Sequence, residues 1–447
     1  MKYIILLGDG MPDYPIDELG GKTPLEYAKT PNMDFIAKNG TVGCVKTIPD
    51  GFPPGSDVSN LSILGYDPAK YYTGRAPLEA ASIGVKLSPT DIAFRCNLVT
   101  LKPVIPPVPP LTSPVSPPLE GGEGEVAKGG EGGLIMEDFS AGHISTEEAR
   151  ELISAIDKKL GTAEIKFYSG VSYRHLMVWK NGSSNLKLTP PHDISGKNIK
   201  SYIPQGDRAN ILTELMNSSQ IVLSNHKINK ERKNNGKNPA NSIWLWGHGK
   251  APAMPTLKER FNLTGSIIAA VDLMKGIGIY AGLTPVKVPG VTGYIDTNYE
   301  GKADYALKEL ESKDFVYVHV EAPDEAAHNG SLNNKIKAIE DFDKRVVGRV
   351  LEGIKKFKEY RILVVSDHPS PISIKTHSSE RVPFAIYPSK SPPNPPFKTS
   401  PAPPSEGGEK GEVKGGYGGI TGFSEKIVDD PSIKFEKGHE LIEYFLK

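Results

Sequence analysis

Short apolar runs alternate along the chain with longer segments in which apolar residues return every three or four positions. Residues 3–8 form a continuous apolar run that ends in Gly8-Asp9-Gly10. A run without polar alternation reads as a strand buried on both faces. The pattern returns at 314–320 and 361–366, and residues 332–357 between them carry apolar and charged positions at the helical period. Strand, helix and strand at this spacing predict a βαβ unit, hence an α/β fold with a mainly parallel sheet flanked by helices. In such sheets ligands bind beyond the carboxyl ends of the strands. A further helix opens at Thr30-Pro31, with Thr30 as its cap and Pro31 in its first turn.

The middle of the chain differs. From about 90 to 275 it mixes short strands with amphipathic helices such as 145–160. This predicts a smaller inserted α/β domain, residues 89–280, interrupting a domain made of 1–88 and 281–447. The stretch from Asn238 to Trp246 reads as a buried strand whose two tryptophans pack in the core. Residues 103–133 and 389–419 are dominated by Pro, Gly and Glu, and near copies start at Pro117 and Pro403. Such composition cannot bury enough apolar area to offset its ordering entropy. Two copies this far apart do not form a contiguous repeat array. Both are expected to be disordered insertions in surface loops.

Composition narrows the function classes. With 447 residues the chain is long enough for two or three domains. Lys+Arg and Asp+Glu both number 53, so the formal net charge is zero, which excludes a protein held to nucleic acid by bulk charge. Cys44 and Cys96 are the only cysteines; they make neither a disulfide framework nor a Cys-x-x-Cys zinc pattern, and they fit a reduced cytoplasmic compartment. The apolar start is too short for a signal peptide or membrane span, and no later run approaches a spanning length. Membrane and nucleic-acid partners are therefore not expected. Oligomeric state has no signature in the sequence.

Candidate chemistry lies at the ends of the apolar runs. Asp9 follows the first. Ser56 sits in Pro53-Pro54-Gly55-Ser56-Asp57, Asp324 and His328 in Asp-Glu-Ala-Ala-His, and Asp367, His368 and His377 follow the last apolar run. Asp324 and His328 are four residues apart, so on a helical turn they share a face and suit one ion. Adjacent Asp367 and His368 point in different directions and suit two. His377 lies on a loop that must return to the same region. Hard oxygen and imidazole donors gathered at several strand ends predict a metal site built from both ends of the chain. Residues 61–68 read as a short helix and its stop, which places Ser56 near a helix N-terminus, where backbone N–H groups favour phosphate. Taken alone, Ser56 reads as an ordinary capping serine. Beside metal ions it reads as a nucleophile, because a bound hydroxyl has a lowered pKa.

These stretches resemble the archaeal-type branch of the cofactor-independent phosphoglycerate mutases, within the alkaline phosphatase superfamily. The resemblance rests on Gly8-Asp-Gly-Met-Pro-Asp13, residues 22–34, Pro54-Gly-Ser-Asp57, Leu64-Gly-Tyr-Asp-Pro68, Tyr72-Thr-Gly-Arg-Ala-Pro-Leu-Glu-Ala80, Ala93-Phe-Arg-Cys-Asn97, residues 289–299 and the late Asp/His motifs. It spans nearly the whole chain except the two Pro/Gly-rich segments. It implies two divalent ions, commonly manganese, with zinc, cobalt or magnesium also compatible, and no 2,3-bisphosphoglycerate. One ion would be held by Asp324, His328 and His377, the other by Asp9, Ser56, Asp367 and His368. Ser56 would take the phosphoryl group of a phosphoglycerate and return it to the other hydroxyl of the reoriented glycerate. Arg75, Arg95 and Arg174 would bind the phosphate and carboxylate, arginine's planar fork suiting both. Arg75 would also serve catalysis, and Lys275, at the expected domain return, would neutralise the departing charge. His143, His175 and Asp193 are further candidates for orienting substrate.

Other functions share this ligand set. A bacterial subgroup with a similar Phe52-Pro-Pro-Gly-Ser-Asp57 and Trp244-Leu-Trp246 has been proposed to act as homoserine kinase. A phosphomonoesterase would discharge phospho-Ser56 to water. A non-catalytic, metal-stabilised binding protein would have no use for the serine. Enclosing substrate against water predicts closure of the insert through hinges near 80–90 and 275–290.

Overall fold

A computed structural model of the chain describes residues 1–104, 133–388 and 422–447. The disorder expected for 103–133 and 389–419 falls almost wholly outside the described residues. Beside the first of these segments, the Val104 N–H donates to the Gly133 carbonyl at 2.7 Å.

Internal contacts divide the chain into two compact units: Met1–Tyr72 with Pro252–Lys447, and Thr73–Ala251. The changeovers fall at Tyr72/Thr73 and Ala251/Pro252 rather than at 88/89 and 280/281. The later one has a clear cause. Gly265–Ile268 pairs in parallel with Phe315–Val320, which commits the following helix, Asp272–Tyr280, to the first unit.

The first unit holds an eight-stranded sheet in the order Thr284–Pro285, Gly265–Ile268, Phe315–Val320, Lys2–Gly8, Tyr360–Val365, Val382–Tyr387, Thr41–Val45, Lys434–Phe435. Val382–Tyr387 runs antiparallel to both neighbours, and the other pairings are parallel. The two strands of the expected βαβ unit are both there and parallel, but they are not adjacent. Lys2–Gly8 lies between them, with Leu6 opposite Val318 on one side and Val364 on the other. The most apolar strand thus takes the centre, where both of its faces are covered. Ile4, Leu6, Val316, Val318, Ile362 and Val364 are fully buried and share a core with Tyr299, Phe342 and Val346. The expected helix of 332–357 runs as Leu332–Asp341, a π-helical stretch Phe342–Val347, Gly348–Gly353 and a 3-10 turn Ile354–Lys356.

The second unit is built on one long strand, Ile92–Pro103. It pairs antiparallel with Arg174–Trp179, Ser242–Gly249 and Leu134–Asp138, and Ile165–Val171 extends the sheet beyond Arg174–Trp179. Ile92, Phe94, Cys96 and Leu98 alternate onto the buried face, in one core with Leu152 and Ile156 of Thr146–Leu160 and Leu212 and Met216 of Ala209–Ser224. Trp244 and Trp246 are buried and pack with this cluster, but they pair with Asn97 and Arg95 and so lie on the other face of the sheet. Among the described residues no helix is long and apolar enough to cross a membrane.

Candidate active site

Three parallel strand ends and one helix start build the polar centre of the first unit. Asp9 follows Lys2–Gly8 directly, and its N–H donates to the Val320 carbonyl at 2.9 Å. Asp324 and His328 lie on the helix Ala322–His328, just beyond Phe315–Val320. Asp367 and His368 follow Tyr360–Val365. Ser56 opens the helix Ser56–Ile63, with Gly55 at the cap. The helix therefore starts at Ser56, not at 61 as the residue pattern alone implied, and Ser56 is its first residue rather than its cap.

The seven expected ligand residues meet here. His328 Nε2 lies 3.2 Å from Asp324 Oδ2 and 3.0 Å from His377 Nε2. His377 Nε2 lies 3.5 Å from Asp324 Oδ1. Around Asp9, His368 Nε2 is 3.1 Å from Ser56 Oγ, 3.3 Å from Asp367 Oδ2 and 3.6 Å from Asp9 Oδ1. The two sets touch, since the His368 and His377 rings are 4.2 Å apart. Ligand atoms of Asp324, His368 and His377 form one group within 4.8 Å, and those of Asp9, His319 and Asp367 form another.

Hydrogen bonds from outside hold these donors still. Asp367 Oδ1 accepts from the N–H groups of Gly10 (3.2 Å) and His368 (3.0 Å), and its Oδ2 accepts from Asn60 Nδ2 at 2.9 Å. The Ser370 hydroxyl donates to Asp324 Oδ1. Lys335 is fully buried, and its ammonium bonds Asp13 Oδ2 at 2.7 Å and the Ser370 carbonyl at 2.8 Å, pinning the loop that carries the late histidines. Gly10 is required where it is. Its φ is +62°, and a Cβ there would fall 2.5 Å from Ser370 Oγ and 2.7 Å from Asp324 Oδ1.

Electrostatics mark a site made for cations. Burial pushes the Asp9 carboxyl well above its usual range, and the nearby charges of Asp367, Asp324 and Glu321 push the same way. Its Oδ1 has no hydrogen-bond partner. Burial also opposes ionisation of Asp324, but bonds from His328 and His377 hold it well below the usual range. The bond to Asp324 raises His328 to about 9. Buried carboxylates crowded together need compensating positive charge. His328 Nδ1 lies 2.9 Å from the Lys375 carbonyl. A neutral His328 donating there turns its Nε2 lone pair to Asp324 and His377, an arrangement typical of ligating histidines. The donor set fits divalent ions on these grounds.

Several residues of this centre went unnoticed in the sequence. His319, Tyr317 and Lys302 are fully buried and lie close to Asp9 or its partners. Burial lowers His319 to about 4 and Lys302 to about 8. Tyr317 and His319 alternate with valines inside a strand read as wholly apolar, and that alternation was the available signal. Lys275 lies on Asp272–Tyr280, which packs against Ser56–Ile63, and its ammonium bonds Asp272 Oδ1 at 3.2 Å.

The expected arginines gather on the second unit. Arg95 Nε donates to Glu79 Oε2 at 3.1 Å, and its guanidinium lies 4.2 Å from the centre of the Trp246 ring. Burial and the charges of Arg75 and Arg174 lower the Arg95 pKa against the pull of Glu79. Arg174 reaches over Tyr173 at 5.6 Å, and the His143 ring lies 6.2 Å from the same tyrosine. Strand register puts Arg95 and Arg174 on one face, since Arg95 pairs with Leu176 and Asn97 with Arg174. His175 pairs with Cys96 and so turns to the opposite, helix-covered face. It is 2% exposed, its Nδ1 accepts from the Gly170 N–H at 3.0 Å, and burial drops its pKa to about 3. The structure does not bring His175 to the arginine face. Asp193 is exposed, 3.5 Å from His192. His192, whose ring is 5.3 Å from Trp246, is the unforeseen member of this face.

A model described as the Metalloenzyme superfamily matches residues 1–412, so the chain belongs to that superfamily. A probable 2,3-bisphosphoglycerate-independent phosphoglycerate mutase of Geobacter sulfurreducens is 51% identical over 446 residues, 100% of each chain. The enzyme of that name from Methanosarcina barkeri is 54% identical over 389 residues, 87% of this chain and 90% of its own. Relatives this similar, over this length, place the chain in the 2,3-bisphosphoglycerate-independent phosphoglycerate mutase family. The solved cofactor-independent phosphoglycerate mutase of Thermoplasma acidophilum superposes with a TM-score of 0.61 at 26% identity, covering 100% of this chain and 99% of its own. A solved Pyrococcus horikoshii protein gives 0.74 at 27% identity, with 100% and 96% covered.

Proposed function

We propose that this chain interconverts 2- and 3-phosphoglycerate through a phosphoserine at Ser56, with two divalent ions, manganese by preference, and without 2,3-bisphosphoglycerate. The observation that carries this reading is the placement of Ser56. Its hydroxyl opens a helix and lies 3.1 Å from His368 Nε2, beside the buried carboxylates of Asp9 and Asp367. Asp324, His328 and His377 would hold one ion, and Asp9, Ser56, Asp367 and His368 the other. Bound there, divalent ions would stabilise charge on phosphoryl oxygens and lower the pKa of a coordinated hydroxyl.

The chain's own groups account for the rest. The Ser56 oxygen attacks phosphorus, the bond from phosphorus to the glycerate oxygen breaks, and that oxygen takes a proton equivalent to the one Ser56 loses. Reversal on the other hydroxyl returns the phosphoryl group and restores Ser56. The helix start favours the anion with its N–H groups. Arg75, Arg95 and Arg174 would bind carboxylate or phosphate in two-point contacts, with Arg95 pre-set by Glu79 and Trp246. A cytoplasmic location accompanies this reading.

The test is an assay of purified, manganese-loaded protein on three substrates: 3-phosphoglycerate alone, ATP with homoserine, and a chromogenic phosphate ester. The expected result is 2-phosphoglycerate formed without ATP, at a rate far above the other two. Strong ATP-dependent homoserine phosphorylation with negligible mutase turnover would replace the reading.

A further inference from the structure

His319 is a fully buried imidazole of the first unit that the proposed reaction does not use. It is fully buried near the end of Phe315–Val320, and its Cα pairs with that of Leu7. The two parallel strands therefore deliver His319 and Asp9 to the same edge, with the Asp9 N–H fixed on the Val320 carbonyl. His319 Nε2 lies 3.1 Å from Asp9 Oδ2. Neither ring nitrogen makes a hydrogen bond to a described group, so the approach to Asp9 Oδ2 is a close contact of a buried imidazole and a buried carboxylate. A buried imidazole left wholly unpartnered is costly, and Asp9 Oδ2 lies within reach of its Nε2.

The two oxygens of Asp9 thus face different ways. Oδ2 faces His319, and Oδ1 faces His368 Nε2 at 3.6 Å and carries no hydrogen bond of its own. The other acid of this set is treated alike from the same strand. Tyr317, two residues earlier and so on the same face, donates its hydroxyl to Asn60 Oδ1, and Asn60 Nδ2 donates to Asp367 Oδ2 at 2.9 Å. Behind His319, the fully buried Lys302 ammonium donates to the His319 carbonyl at 2.9 Å and fixes its backbone. One strand thus brings a polar side chain toward each carboxylate, Tyr317 through Asn60 to Asp367 and His319 directly to Asp9.

We propose that His319 is a positioning residue for the ion held at Asp9: its imidazole fixes Oδ2 so that Oδ1 is presented to the site. This rests on the ion reading above. Partners that orient ligating carboxylates change metal affinity without touching the metal.

The experiment compares Mn2+ binding by calorimetry, on chelator-stripped full-length protein, with kcat and KM for 3-phosphoglycerate in the Mn2+-loaded protein. His319→Leu removes the donor. It is expected to weaken Mn2+ binding by about 10–100-fold and to lower kcat, with KM changed by less than about twofold. His319→Gln keeps an N–H where Nε2 was and is expected to recover most of the affinity. His319→Asn is polar but too short to reach, and is expected to resemble leucine; it stands in if the leucine variant does not fold. Leucine or asparagine variants that bind Mn2+ like wild type would overturn the proposal, as would a glutamine variant no better than asparagine. Wild-type protein that takes up no Mn2+ would instead sink the ion reading, and His319 with it.

Discussion

The acid centre of the first unit and the arginine face of the second handle charge in opposite ways. In the first, Asp9, Asp367 and His368 are essentially inaccessible, and short side chains on strand ends and a helix start are held by backbone N–H groups and by Ser370, Asn60 and Lys335. In the second, long side chains dominate: Arg174 is exposed over Tyr173, and Arg95 is held between Glu79 and Trp246. Chemistry on phosphorus needs fixed groups, because a misplacement of about 1 Å can cost roughly 100-fold in rate. Recognition of an anion that must turn over between two half-reactions tolerates adjustable groups. Rigid polar burial and adjustable exposure are what the two proposed roles, phosphoryl transfer and anion recognition, would each require.

Substitutions can break that contrast. The largest effect is expected from Ser56→Ala, which removes the proposed nucleophile and should lower kcat at least about 10,000-fold. Turnover close to wild type in a direct assay of 2-phosphoglycerate would show that the serine is not part of the chemistry. Lys335→Met comes next. It leaves Asp13 buried without its cation and should cost about 3–5 kcal/mol in denaturant unfolding. Its activity should fall as well, because the same ammonium anchors the Ser370 carbonyl in the loop that runs on to His377. Loss of stability below 1 kcal/mol would mean the support of the centre is looser than its hydrogen bonds indicate. On the other unit, Arg174→Ala should raise KM for 3-phosphoglycerate by roughly tenfold, the worth of one charge-assisted contact, and leave Mn2+ affinity unchanged. A shift in Mn2+ affinity would blur the division between the regions. His143→Ala sits at the edge of the arginine face and should change kcat/KM by less than about threefold, as exposed polar contacts do.

Much of the centre was legible in the sequence because its donors follow apolar runs, where a parallel sheet presents its carboxyl ends. Asp9, Asp324 and Asp367 each mark such an end. Strand order was not legible: the runs at 314–320 and 361–366 looked adjacent, and nothing local reveals that the first strand inserts between them. His319 and Tyr317 were hidden for a related reason. In a run that reads as continuously apolar, a histidine and a tyrosine two apart look like packing, and their role depends on Asp9 and Asn60, which are distant in sequence. His175 failed in the other direction. Its neighbour Arg174 points to the arginine face, but a strand turns the next residue to the opposite side, so adjacency in sequence was the wrong guide. The unit changeover near 252 was missed because Gly265–Ile268 is only four residues long, and its pairing is what assigns it.

In the proposed reaction the phosphoryl group passes through Ser56. Mn2+-loaded enzyme quenched in acid during turnover of 3-phosphoglycerate, then digested and mapped by mass spectrometry, tests this directly. One added phosphoryl group is expected on the peptide containing Ser56, assigned to that residue and missing in Ser56→Ala. A phosphoryl group on another residue, or none while 2-phosphoglycerate accumulates, would contradict it.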